Sequence, residues 1–184
     1  MANQDLVYEF SNIDNNNPFH DKDIIHKLSV ATTVFAYRRG LGLIKEMHCK
    51  GKLKDADMKR VNKFIVNRMA YIFSLILDDN YLEMIRSSCN NNKVEVKLAY
   101  ASAELCIIDG LNRNNIKLSK NEINEIIIDM IGWLYSVFKM ILSKDLITIN
   151  LLTLSNVFYN TDWDYAVPEN ISLNKFLKKL KKYN

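Results

Sequence analysis

The chain has 184 residues, 48% of them hydrophobic and 25% charged, with a formal net charge of +4 and only five Gly and two Pro. That balance excludes a disordered polymer and the very small domains that need disulfides or metal to fold, and so little turn chemistry argues against a sandwich or barrel. We expect an all-α, single-domain helical bundle.

Residues 1–20 carry no helical period and end at the breaker cluster Asn15-Asn16-Asn17-Pro18, so they read as an irregular segment ahead of one α-helical domain over 21–184. The amino terminus has neither the basic region nor the apolar run of a secretory signal, which predicts a cytoplasmic protein. Asp21 or Asp23 can cap a first helix, with Ile24, Leu28, Ala31, Phe35 and Leu41 turned inward. Gly40 and Gly42 then mark either a close helix crossing or a kink, and the apolar pattern that resumes in phase at Leu43, Ile44 and Met47 favours the crossing.

Lys50-Gly51-Lys52 makes a turn, and a second helix is predicted from about Lys54 to Leu77, stopped by Asp78-Asp79-Asn80. A short helix from Tyr81 to Arg86 and a loop over 87–92 follow, and then a third long helix over about Val94 to Leu111. Ser119-Lys120-Asn121-Glu122 fits the S-x-x-E capping box, in which each side chain satisfies a backbone N–H left free at the start of the next helix. That helix is apolar from Ile123 to Leu142, but Asn124, Glu125, Asp129 and Lys139 make it a core helix and exclude a membrane span. A further helix is predicted over Asp145–Tyr159, then an aromatic loop with Trp163 and Tyr165, and last an amphipathic helix over Ser172–Tyr183 ending in lysines.

Two stretches, 36–77 and 99–142, align as candidate repeats of one helical hairpin. Past the turn Ile65 matches Met130, Val66 matches Ile131, Met69 matches Leu134, Ile72 matches Val137, Phe73 matches Phe138 and Ile76 matches Ile141. Two such hairpins can bury their apolar faces on each other. Asp109-Gly110 followed by Ser119-Lys120-Asn121-Glu122 resembles the turn and helix start of tellurite-resistance TerB-like helical domains, whose hairpins are also paired. Those domains place several acids around the turn. The first stretch here has Lys45, Glu46, Lys50 and Lys52 instead, so no shared metal site follows.

The residues offer no catalytic set. His48 and Cys49 are helix neighbours and point about 100° apart, which excludes a nucleophile and base. His20, His26, Asp21 and Asp23 read as a solvated capping region. Cys49, Cys89 and Cys106 lack metal or redox spacing and read as reduced, partly buried thiols. No P-loop, dinucleotide or metalloprotease motif is present. We therefore expect no enzyme activity, no cofactor and no metal.

Charge is the more telling signal. Residues 36–77 carry ten basic and three acidic side chains, whereas 99–142 carry four and five. Lys59, Arg60, Lys63 and Arg68, with Asn67, form the candidate partner-binding face of the second helix, and Trp163 and Tyr165 are candidate aromatic anchors. The lysines 175, 178, 179, 181 and 182 read as a solubilising tail.

These features point to a non-enzymatic inhibitor that binds a protein partner, and to an immunity protein that neutralises a cognate bacterial toxin by covering its active site. The Ile, Asn and Lys bias, common in AT-rich mobile genes, fits that reading, and the positive net charge then calls for an acidic or mixed toxin surface. The alternatives are a viral Bcl-2-like host-modulating protein, whose usual segments are missing here, and a nucleic-acid-binding regulator using the basic hairpin.

Overall fold

A computed structural model describes Ile25, Ser29, Val30, residues 42–143 and residues 171–184. Among the described residues every regular element is a helix and there is no strand, as the composition predicts. In chain order they are α1 (Gly42–Cys49), α2 (Asp55–Ile76), α3 (Asp79–Ser88), α4 (Val94–Ser102), a π-helical segment (Ala103–Ile108), α5 (Asp109–Arg113), α6 (Lys120–Leu142) and α7 (Leu173–Lys181). None of them is long and apolar enough to cross a membrane. The inward positions predicted for the first helix, the helix predicted over 145–159 and the aromatic loop lie outside the described residues.

Local chemistry sets most boundaries. Gly51 takes the left-handed conformation (φ +73°) that a Cβ would disfavour, and the amides of Lys52 and Leu53 turn back to the Met47 carbonyl at 2.9 and 3.3 Å, closing α1. At the start of α2 the Lys54 amide donates to Asp57 Oδ2 (3.2 Å), and Asp55 and Asp57 place negative charge at the helix amino end. Asp78 has two roles. It follows the end of α2, as predicted, and its carboxylate accepts from the amides of Asn80 and Tyr81, so α3 begins at Asp79 and not at Tyr81.

Beyond α3, Asn90, Asn91 and Lys93 all have positive φ, a region that Asn enters more readily than most side chains. The side chain of Lys97 is buried there and donates to the Cys89 carbonyl (2.8 Å), satisfying the end of α3 with a cation. The capping box forms as predicted: the Ser119 amide donates to Glu122 Oε2 (2.7 Å) and the Glu122 amide to Ser119 Oγ (3.2 Å).

The helix expected over 94–111 needs correction. The run expected as a single α-helix over Val94–Leu111 widens into a π-helical segment over Ala103–Ile108 before α5 resumes. Five of its six residues are buried, and Leu105 and Cys106 meet α2 directly, where Cys106 Sγ lies 3.4 Å from Met69 Sδ. No Gly or Pro marks the change.

The core joins α2 and α6. Phe73 and Phe138 are fully buried with ring centroids 6.0 Å apart and planes tilted by 54°. The matched pairs Ile65/Met130, Met69/Leu134, Ile72/Val137 and Ile76/Ile141 are also buried, whereas Val66 is buried and Ile131 only half-buried. Both α1 and α4 lie against α6, so the first helices of the two candidate repeats meet the same partner. Val30 packs on Val66 and Ala70, a core contribution outside the inward set predicted for the first helix.

Helix α7 covers α3 and α4, with Phe176 and Leu180 at its inner face and Ser172 accepting from the Lys175 amide (3.1 Å) as its cap. Its lysines are not all tail. Lys179 and Lys182 reach Glu104 at 2.5 and 3.3 Å, and the Tyr183 hydroxyl donates to the same carboxylate; Lys175, Lys178 and Lys181 are exposed. Tyr183 stacks on Tyr100 at 5.1 Å, and Asn184 donates to the Ser88 carbonyl.

Candidate binding surface

The basic residues of α2 divide by helical position. Lys59, Arg60 and Lys63 are exposed, on the side away from Val61, Ile65 and Ile72. Asn67 is half-buried. Arg68 belongs elsewhere, and its assignment to the exposed face is corrected: the residue is 2% exposed, and its guanidinium donates to the Leu105 carbonyl (2.7 Å) and to Asp109 Oδ2 (3.3 Å). A buried charge requires such partners, and the π-helical segment brings a carbonyl to it. Trp163 and Tyr165 lie outside the described residues.

Of the exposed cations, Arg60 is positioned by the crossing of α2 with α5. Residues 60, 64 and 68 recur one turn apart on α2, and each meets this neighbour. Phe64 lies against Gly110, where a Cβ would come within 2.9 Å of the ring, so only glycine permits this approach. Above it, Arg60 Nε donates to Asn114 Oδ1 (3.2 Å) while another of its nitrogens pairs with Asp57. Asn114 in turn donates to the Gly110 carbonyl (2.7 Å). Below it stands the Arg68–Asp109 pair.

The Phe64 ring also holds two guanidinium groups, Arg68 at 4.6 Å and Arg113 at 5.0 Å from its centroid. Arg113 is exposed, as are Asn112, Asn115 and Lys117. The stretch that looked acidic in sequence therefore lends an arginine to the basic face of the other. Counting charges along the chain could not find it, because Arg60 meets Asn114 and Arg113 meets Phe64 only through the crossing.

The remaining candidate chemistry stays apart. His48 Nε2 lies 2.7 Å from an oxygen of Asp55, across the turn from α1 to α2, and Cys49 is exposed beside it. Cys89 and Cys106 form no disulfide and are buried, and burial pushes the Cys89 thiol up from its ordinary value despite the Lys97 charge. Among the described residues no group of three or more His, Cys, Asp or Glu stands together as a metal site would require. His20, Asp21, Asp23 and His26 lie outside them.

The chain matches no protein-family model, no curated protein and no solved structure. Its reading therefore rests on its own residues.

Proposed function

We propose that this chain is a protein-binding inhibitor, an immunity protein for a bacterial toxin, and that the exposed basic face of α2 lies against the toxin's active-site cleft. The observation that carries the reading is the exposure of Lys59, Arg60 and Lys63 on one face of a helix whose opposite face is buried. Three exposed cations on one helix face complement an acidic protein surface. The lack of a recognisable catalytic motif in the sequence and its mobile-gene composition point the same way.

Co-expression with the product of the adjoining gene tests this. An equimolar complex and relief of that product's toxicity are expected. Lys59→Glu with Lys63→Glu should weaken the complex, most at low salt, chiefly by slowing association. A neighbouring product that is neither bound nor inhibited would overturn the immunity reading. A complex indifferent to both charge reversal and ionic strength would move the binding face elsewhere.

A further inference from the structure

We infer that the binding surface spans two elements, α2 and α5, and that Arg60 and Arg113 are its two oriented guanidinium groups, receiving the carboxylates of an acidic polypeptide segment. This rests on the reading of α2 as a binding face, and it adds a residue, a second element and a partner chemistry.

Each arginine is fixed from a different direction. Arg60 is held through Asn114, itself bonded to the Gly110 carbonyl, and through Asp57; Arg113 is held over the Phe64 ring. Both residues are exposed, and in each the guanidinium itself is oriented by its neighbours. Much of the rotamer freedom that binding would remove is thus already gone. A guanidinium is a planar fork that matches a carboxylate with two parallel N–H donors, which an ammonium cannot do, and arginine is enriched among residues that dominate interfaces.

A polypeptide fits the surface better than a nucleic-acid backbone. Asp57 already shares Arg60, and Asp55 beside it is 89% exposed. A row of phosphates would be repelled by these acids, and its affinity would come from the number of cations neutralised. A protein segment of mixed charge can place carboxylates on the arginines and basic or neutral groups beside the acids.

The test is fluorescence anisotropy of the full chain with two labelled probes: a short peptide of alternating glutamate and serine, and a DNA duplex. The peptide should bind. Arg113→Glu should weaken it by about tenfold, and Arg113→Lys by about threefold, because charge survives but the fork and the ring contact do not. Circular dichroism melting checks that both variants are folded, and Arg113→Lys, the milder change, serves where Arg113→Glu does not fold. Asn114→Ala, which keeps the net charge and removes one of the two groups that hold Arg60, should also weaken the peptide. If the Arg113 and Asn114 variants bind like the wild type while Lys59→Glu weakens binding, the two-element surface is overturned and the α2 face stands. No effect from any of these variants would overturn both. Failure to bind the peptide, or tighter binding of the duplex with a steep salt slope, would overturn the acidic-polypeptide assignment.

Discussion

A Cβ built on Gly110 stands 2.9 Å from Cδ1 of Phe64, so these two residues set how closely α5 can cross α2. Gly110→Ala should push the helices apart or force Phe64 from its position, at a cost of about 1–3 kcal/mol in urea unfolding. Because the obstacle is that one ring, Phe64→Leu should recover part of the loss, giving a non-additive double-mutant cycle. Additive losses would place the strain elsewhere.

Arg68 supports the same crossing from inside. Removing its partners' counterpart with Arg68→Ala leaves the Leu105 carbonyl and Asp109 short of a donor and opens a void, and should cost about 3–5 kcal/mol. Arg68→Met fills the space but leaves the same two acceptors without a donor, so it should recover only the packing part of that loss. Comparing the two melting curves separates packing from ion pairing.

The aromatic pair at the centre of the core gives a third prediction. Phe73→Ala and Phe138→Ala should each cost about 3–5 kcal/mol, a large share of a typical domain's stability. Since the rings touch, the double variant should lose less than the sum. A loss below about 1 kcal/mol for Phe73→Ala in urea titration would show that the site collapses or that the ring is not where stability resides.

Glu104 should make the docking of α7 dependent on pH. Burial raises the pKa of its carboxyl, but hydrogen bonds from Lys179 and Tyr183 and the charges of Lys179 and Lys182 outweigh it and hold the group below its ordinary value of 4.5. A carboxylate favoured in the folded state contributes stability above its unfolded value, and that contribution is lost as the pH falls through the folded value. At the other end, burial first and then the bond to Glu104 raise the Tyr183 phenol well above its ordinary 10. Its contribution is full below the unfolded value and disappears as the pH rises through the folded one. Glu104→Gln should therefore flatten the acid limb of a stability–pH profile measured by urea unfolding.

The sequence by itself determined the helical class, the position of most helices and the faces they bury, because those depend on residues within a few turns of one another. The i, i+3/i+4 stripe of α2, the Asp57 and Ser119–Glu122 caps and the Gly51 turn are local properties of the chain. The exposed positions of Lys59, Arg60 and Lys63 follow from the same period.

What only the tertiary structure decided are contacts between residues far apart in the chain. Arg68 bonds to a carbonyl 37 residues away, Arg60 to a side chain 54 residues away and Lys179 to one 75 residues away. An arginine near the edge of an apolar stripe can face water or turn inward, and its own helix does not choose. The choice falls to whatever acceptor the neighbouring backbone offers, here the π-helical carbonyl of Leu105. In the same way Arg113 joins the basic face only because Gly110 lets Phe64 come close enough to hold it.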